Sequence, residues 1–245
     1  MITGGGTGIG AAIASVLKAD GARISLLGRR RDALQATADA IGGAAVVPAD
    51  VTDPEAVDSA FATATAANGA VDILVNSAGI ALTAPFVKTD LDVLRKIWRV
   101  NVEGVFTCTQ AALPGMIEAG FGRIVNVAST AGLKGYAYTS AYTMSKHAVI
   151  GLTRSLALET AGRGVTVNSV CPGFTDTDLT AGSVETIVAT TGRSADEARA
   201  ALSRTNPLKR LIRPDEVADA VRWLVGPAAS AITGQSIIVA GGEVM

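Results

Sequence analysis

Tyr142 and Lys146 lie four residues apart near the start of a segment with helical periodicity, so both side chains project from one face. A phenol ionises near pH ~10 and is a poor acid or base at neutrality. An ammonium group beside it favours the phenolate. Such a tyrosine can give a proton to a carbonyl oxygen or take one from an alcohol. The chain has three tyrosines in 245 residues, and this pairing arises by chance only about 0.07 times at such a composition. Ser129 ends an apolar run upstream of Tyr142, where its hydroxyl would reach a substrate oxygen; strand-end serines also serve as caps. Asn101 falls inside a long helical stretch, where asparagine is unfavourable. A functional demand, a helix irregularity or plain exposure would each account for it. The one histidine, His147, adjoins Lys146 and points about 100° away from the pair, so it reads as structural. Cys108 and Cys171 fit no metal or redox spacing, and with a single histidine neither a metal site nor a Ser-His-Asp triad is expected.

A second constellation opens the chain. Thr3-Gly4-Gly5-Gly6-Thr7-Gly8-Ile9-Gly10 runs directly into an amphipathic helix. Gly4, Gly8 and Gly10 are spaced G-x-x-x-G-x-G, which is not the G-x-G-x-x-G fingerprint but shares its physics. Glycines permit positive φ and close approach of backbone N–H groups to a pyrophosphate, and the helix N-terminus adds partial positive charge. Arg29 follows the next apolar run, at the place where an acid would hydrogen-bond the ribose 2′-hydroxyl of NAD. Gly28 and Arg29 offer no acid, and an arginine can take the 2′-phosphate of NADP. NADP is therefore the expected cofactor, with NAD as the alternative.

These residues need a scaffold that brings them to one edge. Apolar, β-branched runs at 23–27, 44–47, 71–75, 123–128, 166–170 and 236–239 alternate with helical patterns at 9–19, 31–41, 55–68, 91–116, 141–161 and 214–225. That alternation predicts a single domain over 1–245: a Rossmann-type, doubly wound parallel sheet in a three-layer α/β/α arrangement. Right-handed crossovers would place every strand's C-terminal end on one ligand-binding edge. Only Met1 and Ile2 precede the first glycine loop's threonine, so either the start lies upstream or the fold tolerates a stub as its first, central strand. The interval 176–206 breaks the alternation with a polar helical stretch at 195–203 flanked by Gly182 and Gly192. An insertion of that length reads as a lid over the site, or else as a solvated hairpin.

Composition narrows the partners. Apolar residues make up 49% of the chain and aromatics only 4%, which suits a core of small aliphatic side chains. A net charge of −1 gives no footprint for nucleic acid or an anionic membrane. No apolar run reaches the ~18 residues of a membrane span, and no signal-peptide pattern precedes the glycine loop. Both cysteines read as small buried hydrophobes, so a cytoplasmic location is expected.

The motifs together resemble the short-chain dehydrogenases/reductases over nearly the whole chain. Residues 3–10 are similar to that family's T-G-x-x-x-G-x-G loop, Asp50-Val51 to its adenine-contacting pair, and Asn76-Ser77-Ala78-Gly79 to its N-N-A-G motif with Ser in second place. Asn101, Ser129, Tyr142 and Lys146 match its catalytic tetrad, and Pro172-Gly173 with Thr177 its nicotinamide-carboxamide segment. The missing start of the first strand is the main departure. The resemblance implies hydride transfer between C4 of a nicotinamide and a ketone or secondary alcohol. Tyr142 would be the acid/base, with Lys146 lowering its pKa and binding ribose. Ser129 would orient the carbonyl, and Asn101 would hold a water linked to Lys146. Gly4, Thr7, Gly8, Ile9, Gly10, Arg29, Asp50, Val51, Asn76, Ala78, Gly79, Tyr142, Lys146, Pro172, Gly173 and Thr177 would meet the cofactor, and Ser129, Leu133, Tyr136 and Phe174 the substrate. Within the family the residues after Ser129 and Pro172 look most like 3-oxoacyl-thioester reductases and hydroxyacyl-CoA dehydrogenases. A secondary-alcohol or steroid-type dehydrogenase on free ketones is the alternative. A catalytically silent nucleotide-binding regulator is a third reading, disfavoured because all four tetrad positions are filled. Apolar faces at Val102, Val105, Phe106, Ala112, Leu113 and Met116 and at Val149, Leu152 and Leu156 exceed one buried stripe, and members of the family pair these helices, so a homotetramer is expected.

Overall fold

A computed structural model describes residues 1–245. Seven parallel strands form one sheet in the order β3-β2-β1-β4-β5-β6-β7. They are β1 (Ile2–Thr3), β2 (Ser25–Gly28), β3 (Ala45–Pro48), β4 (Ile73–Asn76), β5 (Gly122–Val127), β6 (Val165–Pro172) and β7 (Ser236–Val239). Every residue of β5 and β6 is buried, as expected of parallel strands covered on both faces. The order reverses between β1 and β4, and that reversal opens a crevice at the strands' C-terminal ends. β1 has only two residues yet pairs with both neighbours: Ile2 with Leu26 and Val75, Thr3 with Leu27 and Asn76.

Helices cover both faces. On one, α1 (Gly8–Ala19), α2 (Arg31–Ala40) and α9 (Pro214–Val225) bury Ile13, Leu17, Leu34, Val217, Val221 and Leu224 against the sheet. On the other, α3 (Pro54–Asn68), α5 (Gly104–Ala119) and α6 (Ser140–Thr160) bury Val57, Phe61, Cys108, Met116 and Leu156. No helix is long and apolar enough to cross a membrane.

Two stretches differ from the sequence expectation. The pattern at 91–116 is not one helix: α4 (Leu91–Trp98) passes into a π turn at Arg99–Glu103 before α5 begins. There the Gly104 N–H donates to Arg99 O, a wider loop than the α-helical ladder. The interval 176–206 holds two helices, α7 (Asp178–Thr191) and α8 (Ala195–Ser203). Gly182 lies inside α7, and only Gly192, at φ +69°, ends it.

Candidate active site

The crevice is a cleft of about 270 Å³ between the glycine loop, the ends of β4 to β6, and α7. On the β1 side the turn that borders it is held by Thr3, which is itself buried. The Thr3 hydroxyl oxygen accepts from the N–H groups of Ser77 and Ala78, both at 3.0 Å, and so fixes the turn after β4. Gly4 and Gly8 adopt φ of +65° and +54°. A Cβ on Gly4 would meet the Ala78 backbone at 2.9 Å, and one on Gly10 would collide with the Gly4 carbonyl. Side chains here would fill the cradle or strain it.

The N-terminus of α1 points into this cradle without a cap. Thr7, its N-cap residue, makes no side-chain hydrogen bond, and its first turn carries no acid. The starts of α2 and α6 likewise lack a side-chain cap, whereas three other helices have one. Asp53 accepts from Glu55 N and Ala56 N at the start of α3, Asp90 accepts from Val93 N at α4, and Ser194 caps α8 with Glu197. The free N–H groups and positive end of α1 thus face a cleft lined by Gly4, Thr7, Gly8, Ile9 and Gly10. That donor set fits a pyrophosphate, so the residues present suit a dinucleotide. Ala78, Gly79, Pro172, Gly173 and Thr177 line the same cleft, as do Tyr142 and Lys146.

The catalytic candidates converge from three elements. In α6, Lys146 is 6% exposed; its Nζ donates to Val127 O at 2.8 Å and stands 5.7 Å from the Tyr142 ring centre. Burial holds its ammonium down at about 8. Burial pushes the Tyr142 phenol up, and the Ser129 hydroxyl beside it draws it back. Ser129 follows β5, and its Oγ accepts from Ala131 N at 3.0 Å, which leaves the hydroxyl proton free to point into the cleft. Asn101 lies fully buried in the π turn, behind the cleft rather than on its wall. Its Nδ2 donates to Ile80 O (2.9 Å) and to Ser145 Oγ (3.1 Å), and its Oδ1 accepts from Ile80 N (2.9 Å). Ser145 in turn donates to Tyr142 O at 2.7 Å. A Cβ on Gly79 would stand 3.4 Å from Asn101 Oδ1 and 3.7 Å from Lys146 Nζ, at ordinary contact distance, so the turn after β4 runs beside both groups.

Several expected cofactor and substrate residues sit elsewhere. Arg29 is exposed at the end of β2, with neither an ion pair nor a side-chain hydrogen bond. Asp50 uses its carboxylate to hold Thr52 N at 3.0 Å, and Val51 is buried against the start of α5 at Gly104. The Asn76 amide turns away from the cleft and donates to Thr109 Oγ1 (3.2 Å) and Asn126 Oδ1 (2.9 Å), tying β4 to β5 and α5. Leu133 packs against Val105, Ala128, Val149, Ile150 and Cys171 instead of lining the cleft. A short 3-10 turn at Thr130–Gly132 places it over that small core cluster. Tyr136 and Phe174 do line the cleft, edge to face with ring centres 6.2 Å apart. Sequence reasoning passes over Ser145, and it reaches Leu179, Thr180 and Ser183 of α7 only as part of the 176–206 lid, without naming them. A polar Ser145 between Tyr142 and Lys146 is the one local signal.

Chemically, this is a phenol with a buried ammonium and a hydroxyl donor, opening into the cleft that holds the phosphate cradle. It can exchange a proton with an oxygen of a bound molecule. A family model described as Enoyl-(Acyl carrier protein) reductase matches residues 4–243. A Streptomyces coelicolor protein named putative ketoacyl reductase is 36% identical, over 99% of this chain and 95% of its own length. The 3-oxoacyl-[acyl-carrier-protein] reductase FabG of Vibrio cholerae is 37% identical, over 100% of this chain and 96% of its own. Among solved structures, a single-residue variant of actinorhodin polyketide ketoreductase with NADPH superposes with a TM-score of 0.95 at 35% identity, over 99% of this chain and 95% of that one. Matching in sequence and fold from the glycine loop to the last strand, the chain belongs to the short-chain dehydrogenase/reductase family of oxidoreductases.

Proposed function

We propose that this oxidoreductase interconverts a 3-oxoacyl thioester and its 3-hydroxy counterpart with NADP(H), NAD(H) being the alternative. The observation that carries the reading is that Tyr142, Lys146 and Ser129 open into the same cleft as the uncapped N-terminus of α1. Likeness to the two ketoacyl reductases and to the NADPH-bound ketoreductase supports substrate and cofactor. Gly4, Thr7, Gly8, Ile9 and Gly10 would hold the pyrophosphate, and Arg29, free of other partners, the 2′-phosphate. Pro172, Gly173 and Thr177 would flank the nicotinamide, which supplies or accepts the hydride when bound.

In the reducing direction Ser129 donates a hydrogen bond to the carbonyl oxygen and Tyr142 passes its phenolic proton to it. The Lys146 ammonium stabilises the phenolate left behind and keeps the proton supply close. Asn101, saturated by Ile80 and Ser145, holds the turn of α6 that carries Tyr142 in place. Tyr136 is no rival acid, because its hydroxyl is taken up by Glu243 Oε1 at 2.8 Å and Thr130 Oγ1 at 2.7 Å. The α7–α8 segment acts as a lid, since Leu179, Thr180 and Ser183 form one wall of the cleft.

Absorbance at 340 nm with NADPH, against a panel holding acetoacetyl-CoA, a cyclic ketone and a polyhydroxylated ketone, tests this reading. Fastest turnover of the thioester is expected; turnover only of free ketones would replace it with a secondary-alcohol dehydrogenase, and none at all would sink it. Of the apolar faces expected to pair, Val105, Ala112, Met116, Val149 and Leu156 are buried within the chain, and exposed Phe106 and Leu158 on α5 and α6 are what support a homotetramer built through those helices. Light scattering should return about four times the 24.7 kDa chain mass; a monomer at micromolar concentration would refute the assembly.

A further inference from the structure

Behind the aromatic wall of the cleft lies a carboxylate that the proton chemistry does not use. The Glu243 side chain is only 1% exposed. One of its oxygens, Oε1, accepts from the Tyr136 hydroxyl at 2.8 Å and from Thr205 Oγ1 at 2.9 Å, and it stands 3.4 Å from Lys134 Nζ. The same ammonium donates to Glu243 O at 3.3 Å and lies 4.8 Å from the centre of the Tyr136 ring. A carboxylate this deep is costly unless paired and hydrogen-bonded, and here it has a cation and two hydroxyl donors.

The local backbone is shaped to put it there. Gly241 and Gly242 adopt φ of +60° and +88°, turning the chain after β7 back towards the cleft. Their bare Cα atoms lie against Asn206 and Pro207, just past α8. Gly173 leaves the last gap: a Cβ on it would come within 3.1 Å of Glu243 Oε2. Three separate segments thus meet on one carboxylate: the pocket loop through Lys134 and Tyr136, the end of the α7–α8 segment through Thr205, and the turn after β7.

We infer that Glu243 is a specificity-determining positioning residue, which locks the Tyr136 ring as the substrate wall and ties that wall to the α7–α8 segment. The Tyr136 hydroxyl lies 2.8 Å from Glu243 Oε1 and 2.7 Å from Thr130 Oγ1, so its one proton is already engaged and is not offered to a molecule in the cleft. The substrate chain beyond the carbonyl then meets aromatic faces of Tyr136 and Phe174 and no free phenolic donor. The wall therefore selects apolar acyl or cyclic chains over polyhydroxylated ones. This inference rests on the reading of the cleft as a ketone site.

The test uses the panel ketone that the intact protein turns over fastest, with NADPH. Glu243→Ala should raise its KM about tenfold, the scale of one lost hydrogen bond to a charged group. It should move kcat and the KM for NADPH by less than about threefold, within half the free energy of that bond. The preference for acetoacetyl-CoA over the polyhydroxylated ketone should fall, and Glu243→Gln, which can still accept from Tyr136 and Thr205, should restore most of it. Tyr136→Phe keeps the ring and removes the hydroxyl that Glu243 holds, so its combination with Glu243→Ala should add little to either alone. An unmoved ketone KM, or fully additive effects, would overturn the inference while leaving the ketone reading intact. If Glu243→Ala does not fold, an unmoved KM and preference in Tyr136→Phe overturns it equally. Absence of any turnover by the intact protein would instead defeat the reading beneath it.

Discussion

The two sides of the cleft are held by different means. On the β1–β4 side the cradle is backbone: Gly4 and Gly8 at positive φ, Gly10 against the Gly4 carbonyl, and the uncapped start of α1. On the β5–β7 side it is side chains: Lys146 on Val127 O, Asn101 on Ile80 and Ser145, and Glu243 on Tyr136. Backbone donors suit a constant ligand, because any phosphate presents the same oxygens. Side chains suit a variable one, because each can change without disturbing the sheet. The difference predicts that damage on the first side acts on cofactor affinity, and damage on the second on turnover or substrate choice.

The largest test of that division is on α6. Tyr142→Phe and Lys146→Met should each lower turnover by at least ~10², the scale of general acid–base catalysis. Phe at 142 should leave cofactor affinity alone, and near-normal turnover there would break the mechanism. Stability separates the two variants. Burial takes the Lys146 pKa from 10.5 to about 8, so the folded state loses this proton before the unfolded chain does. Between those values stability rises with pH, and below about 8 the buried ammonium costs on the order of 3 kcal/mol. Methionine removes that cost but leaves Val127 O without its partner, a loss of about 1–3 kcal/mol. Urea unfolding should therefore show Lys146→Met at least as stable as the parent at pH 7, with its relative advantage disappearing as pH climbs from 8 to 10.5. An advantage that does not change with pH would show that Lys146 is not strained by burial.

A smaller effect is expected at the rim of the backbone side. Arg29 is exposed, so its pairing with a phosphate is weakened by water and salt. Arg29→Ala should shift the ratio of kcat/KM for NADPH over NADH by roughly tenfold, with kcat on the preferred ketone unchanged. If the ratio stays put, another group reads the 2′ position.

What is legible in the sequence follows the same division. Gly4, Gly8 and Gly10 declare themselves by local spacing, and so do Tyr142 and Lys146 one helical turn apart. Asn101 looks out of place in a helix, and the π turn is the irregularity that houses it. Asn76 cannot be assigned from its motif alone, because the direction of a side chain at a strand end depends on the neighbour, here Asn126. Leu133 misleads for a similar reason: a 3-10 turn, invisible in the pattern, swings it onto the core. Helix α7 escapes the pattern because its glycine and threonines carry weak helical preference, and packing over the cleft decides its form. Glu243 gives no signal at all, since its partners lie far away along the chain.

That distance bears on how the protein is assembled in time. Tyr136 and Glu243 are separated by 107 positions and Lys134 and Glu243 by 109. The intervening chain includes α6, β6, α7, α8, α9 and β7, so the loop that this one carboxylate closes spans more than two fifths of the molecule. Contacts of such long range carry a large loop-closure entropy, larger than that of the Thr3 contacts across 74 and 75 positions. Tyr142 and Lys146 share a single helical turn and can be ordered while the substrate wall is still open. A partial opening that undocks β7 and the turn behind it would then dismantle the substrate wall first, leaving the glycine loop and its phosphate cradle standing.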